Sequence, residues 1–230
     1  MKKLLFVVMG WLIVMTACKK DSDSAIPVTS SNFMFFNGIP DAVYDVLLDS
    51  IKIAQGVKFG TNTPYATLRA QMYTIYLIEA HRPKDTIRAG QINLRNKRSF
   101  SAYVGVDSAN KVNVIRTLED DLTPPPPDYM KFRVVSFSQS FRANGQSLAI
   151  DLFSRSSPYF RGIGFAQVTP VATLIGDSTY NFNFRRNDDT TVITSTLDFK
   201  SQPGKIYTLV TVGNALSSTT FKTFTITHNQ

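Results

Sequence analysis

The chain reads as an all-β protein: two antiparallel, immunoglobulin-like β-sandwich domains in tandem. Three observations carry that expectation. One stretch occurs twice, FGTNTPYATL from Phe59 to Leu68 and FAQVTPVATL from Phe165 to Leu174, at an offset of 106 residues. Extended back to Asp45 and Asp151, the two copies share nine residues over 24 positions, Ser50/Ser156 and Gly56/Gly162 among them. A repeat of that length is too long for a solenoid unit and suits a whole domain. Second, the 17 Phe and 9 Tyr, with frequent Val and Thr, fit pleated, half-buried surfaces. Third, turn signals separate short apolar runs, and no stretch holds a helical period.

The N-terminus is a targeting segment by the same reading. Lys2 and Lys3 precede an apolar run from Leu4 to Val14. That run is too short to span a bilayer and fits a signal-peptide core over residues 1–17. Met15-Thr16-Ala17-Cys18 resembles the lipobox of bacterial lipoproteins. The resemblance implies cleavage before Cys18 and a lipid on its sulfur. Cys18 is the single cysteine, so the mature chain would hold no disulfide. Removal of Lys2 and Lys3 lowers the formal charge from +8 to +6. The remaining charge is dispersed, without a basic stripe interleaved with aromatics, so no nucleic-acid partner is expected.

Residues 18–31 form a polar tether. Its run Lys19-Lys20-Asp21-Ser22-Asp23 resembles export tags of surface lipoproteins in some Gram-negative bacteria, and a solvated linker accounts for it equally well. Repeat one, residues 32–122, is read as strands at 32–37, 44–48, 65–68, 72–78, 86–94, 100–106 and 112–117. Gly38-Ile39-Pro40-Asp41 is a turn, and His81-Arg82-Pro83-Lys84-Asp85 is hairpin-loop chemistry. Pro124 to Pro127, within a linker at 123–128, reads as a semi-rigid spacer. Repeat two, residues 129–230, has strands at 132–137, 148–153, 180–184, 191–199, 206–212 and 221–227. The offset is 99 at Phe33/Phe132 and 106 at Asp45/Asp151, so the loop from Ser138 to Ser147 is longer by about seven residues. Tyr180, Phe182 and Phe184 alternate with Asn181, Asn183 and Arg185, one face to the core and one to water.

These motifs resemble one family. FFNGIPDA from Phe35 to Ala42, then Tyr44 to Asp49, is similar to the opening of bacterial domain-of-unknown-function 4397 proteins. Phe59-Gly60 with Thr63 and Tyr65, the Leu118-to-Leu122 stretch before the prolines, and Gly204 to Val210 ending at Gly213 resemble its other signatures. Repeat two lacks the Pro-Asp-Ala turn. The resemblance implies secreted or lipid-anchored β-sandwiches and no known activity.

Chemistry was sought and little found. His81 and His228 have no Cys, Asp or Glu at ligand spacing, so no metal is expected. No nucleophile elbow, phosphate loop or calcium loop is present, and no cofactor is expected. Asp120-Asp121 and Asp188-Asp189 read as solvated acids at turns. Thr63-Pro64 and Thr169-Pro170 read as architecture leading into an edge strand. Asp45 and Asp151 read as structural bonds to a neighbouring loop, with ligand contact the alternative. Asp followed by Ser or Thr at Asp23, Asp49, Asp85, Asp107, Asp177 and Asp189 fits turn chemistry, and also resembles acceptor sites for bacterial O-glycosylation.

The expected function is therefore a non-catalytic lipoprotein of the Gram-negative outer membrane, on its surface or its periplasmic face. It would be held by its N-terminal lipid and bind a protein or glycan. A structural part in an envelope assembly, or a hydrolase, are the alternatives. The residues expected to bind are Phe141 and Arg142 in the longer loop, and Tyr159, Phe160 and Arg161 in the Arg155-to-Arg161 stretch, taken as another loop; the favoured alternative for Tyr159 and Phe160 is packing beneath the loop as satellite core.

Overall fold

The computed structural model describes residues 29–80, 82, 86–107, 112–193 and 197–228. Cys18, the signal segment, His81 and most of the tether lie outside them. The described chain is all β. The first half runs β1 (Ser30–Asn37), β2 (Val43–Leu48), β3 (Ile51–Lys58), β4 (Ala66–Arg69), β5 (Met72–Glu79), β6 (Thr86–Asn93), β7 (Ser99–Asp107) and β8 (Val112–Asp120). The second runs β9 (Tyr129–Ser138), β10 (Ile150–Ser154), β11 (Ser157–Ile163), β12 (Gln167–Val168), β13 (Ala172–Ile175), β14 (Thr179–Arg186), β15 (Leu197–Lys200), β16 (Ile206–Gly213) and β17 (Lys222–Thr227).

Each half is a β-sandwich of two sheets. The first pairs β3-β2-β5-β6 with β4-β1-β7-β8. The second pairs β11-β10-β14-β15 with β12-β9-β16-β17, where β13 also lies along β9. The strand order is the same in both halves, and no sheet runs through both. The sandwiches are not purely antiparallel, because β1 pairs with β7 and β9 with β16 in parallel.

Side chains explain that arrangement. Phe33 and Phe35 of β1 face a core shared with Val46, Leu48, Ile75 and Leu77. Phe132 and Val134 of β9 face a second core with Leu152, Phe182, Phe184 and Leu209. Met34 and Phe36 point the other way, into a third cluster with Tyr103, Val135, Phe137, Val210, Val212 and Ile226. That cluster holds residues of both halves. The two inner sheets thus stack face to face, and the molecule has four layers. An inner strand buried on both faces cannot alternate apolar with polar residues, hence the unbroken Phe33-Met34-Phe35-Phe36 run. The four prolines lead from β8 to β9 but do not hold the halves apart. The spacer reading is corrected: apolar burial between the inner sheets outweighs the stiffness of a short proline run.

The repeated residues do local work. Asp45 accepts a hydrogen bond from the Gly56 amide at 2.8 Å, and Asp151 from Gly162 at 2.7 Å. Both glycines have φ of 67° and sit where the pairing with β2 or β10 slips register. A bulge glycine with a carboxylate on its amide is the repeated device. The Thr63 amide donates to the Phe35 carbonyl while its hydroxyl accepts from the Phe35 amide. Thr169 does the same on Val134. Each threonine holds the partner strand just before a proline that has no amide to donate.

Close approach between the halves also needs glycine. A Cβ on Gly105 would overlap the Phe137 ring of the other half. Gly105→Ala is therefore expected to cost about 1–3 kcal/mol through overpacking. Chemical denaturation should show the loss, with the halves melting less cooperatively.

Candidate functional site

The Arg155-to-Arg161 stretch is not a loop. It is the β10–β11 turn, with Arg155 at φ 54°, followed by the edge strand β11. The bulge at Gly162 breaks the period-two pattern, which hid the strand in the sequence. The Tyr159 ring meets Phe132 edge-on at 6.0 Å between centroids, and the Phe160 ring lies 5.4 Å from Phe132. Tyr159 also packs against Phe182. Both rings are half-buried on the second core. Arg161 and Arg185 lie over the outward Phe153 ring, at 5.8 and 4.2 Å. Phe141 is 39% exposed. Arg142 makes an ion pair with Asp188 at 3.4 Å. The structure does not gather these five residues into one concave site.

Tyr159→Ala is expected to cost stability, about 1–3 kcal/mol for a half-buried ring with aromatic neighbours. Thermal melting of the variant checks this.

A cluster of buried polar and charged groups lies between the halves. Arg133 of β9 pairs with Asp120 of β8, and both side chains are buried. Asp120 also accepts from the Ser101 hydroxyl at 2.9 Å and the Tyr65 hydroxyl at 2.7 Å. Tyr65 lies 2.8 Å from Nδ1 of His228, and Thr208 Oγ1 lies 2.7 Å from its Nε2. Arg133 Nε donates to Thr208 Oγ1 at 3.2 Å. These bonds assign the tautomer. The single Tyr65 proton goes to Asp120, so the Tyr65 oxygen accepts from His228 Nδ1–H. With its proton on Nδ1, the neutral imidazole leaves Nε2 to accept from the Thr208 hydroxyl. Burial pulls the His228 pKa down to about 4; the Asp120 charge opposes it, and the Arg133 charge adds a smaller push in the same direction as burial. A cavity of about 10 Å³ adjoins His228 and Arg133, space for roughly one water.

The sign of the pH effect follows. The folded pKa lies below the ordinary 6.5, so the unfolded chain takes up the proton first. The stabilisation is complete above pH 6.5 and is lost as pH falls toward about 4. The slope is about 1.4 kcal/mol per pH unit, in total about 3 kcal/mol. Melting temperature against pH should fall through that window, and His228→Gln should flatten the fall.

The other acids are accounted for locally. Asp189 accepts from the Thr191 amide and Asp49 from the Thr74 amide. Asp49 and Asp177 have positive φ, as turn residues do. Among the described residues, no three His, Cys, Asp or Glu side chains group as metal ligands.

A groove opens at the far pole, where β1, β9 and β16 end. It measures about 380 Å³ and is lined by Gly38, Pro40 and Val106 of the first half and Phe137, Val212 and Thr220 of the second, among others. The backbone sets it: Gly38 donates to Val104, and Gln139 donates to Gly213. Gln139 opens the longer loop, which carries Phe141 two residues on. Sequence reasoning missed this groove because it exists only once the halves stack. The sole signal was the Gly38-Ile39-Pro40 turn.

No curated protein matches the chain. The family model described as a domain of unknown function (DUF4397) matches residues 31–144, running past the prolines and through β9. That stretch of the chain is similar to the DUF4397 family.

Proposed function

We propose that this is a non-catalytic, lipid-anchored module of the Gram-negative cell envelope, which offers the far-pole groove to a protein or glycan. On this reading residues 1–17 are the signal, Cys18 carries the lipid, and residues 129–230 are a second, immunoglobulin-like copy of the family domain. The observation that carries the binding role is the groove itself. It is lined largely by apolar and small residues from both halves, and its Gln139 leads into the loop that carries exposed Phe141. Concave, mostly apolar sites between packed units are common binding sites. The buried titratable groups Asp120, Arg133 and His228, by contrast, are engaged in joining the halves. A structural part assembled by strand addition draws less support. The edges β3 and β11 carry Lys52, Lys58, Pro158, Arg161 and a bulge, all of which blunt pairing.

Two measurements test the proposal. Cys18→Ala should release the protein from the membrane fraction, and unchanged partition would refute the anchor. Thr220→Trp, which fills the groove, and Phe141→Ala should each cut partner crosslinking on intact cells by about tenfold, at unchanged melting temperature. Full capture by both variants would refute the groove.

A further inference from the structure

We infer that the pole where β1 begins faces the bilayer that holds the anchor, and meets its anionic phospholipid head groups. The inference rests on the anchor reading above. Only 11 residues lie between Cys18 and Ser30, a length that would reach on the order of 20 Å as a flexible linker, so this pole stays near the surface. Around Ser30 the backbone gathers basic side chains. Ser30 pairs with Arg69, its carbonyl accepts from the Lys97 amide, and its amide donates to Asn96. Arg69, Arg95, Lys97 and Arg98 are all exposed there. Glu119 pairs with Arg95 and Arg98, but among the described residues no salt bridge holds Arg69 or Lys97.

Exposed apolar side chains share the pole. Met72, 61% exposed, follows the β4–β5 turn beside Arg69. From the second half come Ile175, 59% exposed, and its strand partner Tyr129 at 40%. The Asp121–Lys131 ion pair at 2.8 Å holds the two halves' ends together here. Basic residues with an aromatic and aliphatic fringe suit a head-group layer, where the negative surface potential adds to apolar insertion.

The test uses the mature, anchored protein in phosphatidylcholine vesicles, with or without phosphatidylglycerol. Backbone hydrogen exchange at 69–72 and 94–98 should slow several-fold in the anionic vesicles, and high salt should reverse it. Arg69→Glu with Lys97→Glu should abolish the protection, while Lys58→Glu at the far pole should not. Equal exchange in both vesicle types, with the protein still bound, overturns the orientation alone. Failure to bind any vesicle overturns the anchor reading and the orientation with it.

Discussion

The fold depends on two sheets that have no wet face. The inner sheets are covered by their own sandwich on one side and by the other half on the opposite side. Every polar group on the shared side must then find a partner inside the protein. Arg133 and Asp120 could not be buried singly, since an unpaired charge there would cost several kcal/mol. They pair with each other across the boundary, and Ser101, Tyr65, Thr208 and His228 take up remaining donors and acceptors. The result is directional. Apolar contact alone would let the sheets slide, whereas this ring has one register.

The near-symmetry of the halves makes the ring instructive. Asp120 lies opposite Ser99 at the end of β8, and His228 bonds back to Ile206 just after β17. These are corresponding places in the two sandwiches. Ser101 and Thr208 correspond likewise along β7 and β16. A self-complementary interface would set acid against acid. Divergence has instead placed an acid on one side and a neutral base on the other. Tyr65, which joins them, stands where the second copy has Val171.

What the sequence disclosed follows from this division of labour. The nine shared residues include those with local backbone tasks: Asp45 and Asp151 on bulge amides, Gly56 and Gly162 at positive φ, Thr63 and Thr169 as clamps. Such tasks recur wherever the fold recurs, so repetition exposed them and the sandwich with them. Interface residues differ between the copies for a physical reason, because each side must fit the other and not itself. Repetition is blind to them. The stacking is written elsewhere, in the missing alternation of Phe33 to Phe36, a run that taken alone reads only as a strand. Tyr159 and Phe160 are open to two readings, a binding surface or satellite core, and β11 turns both rings onto Phe132, as the second requires.

The same stacking separates the two poles. Because β1 and β9 run in the same sense through the adjoining inner sheets, both halves begin near Ser30 and Tyr129 and turn back near Gly38 and Gln139. One pole therefore collects the tether and the basic loop; the other collects the groove. A flexible joint between the halves would blur that polarity, since either end could swing toward the membrane. With Gly105 and Gly60 letting the Phe137 and Phe224 rings of the second half pack closely, and with Arg133 locked on Asp120, the joint is stiff. A lipid at Cys18 would then orient the whole body and hold the groove away from the bilayer. On this reading the buried ring, which touches no ligand, determines where a ligand can be met.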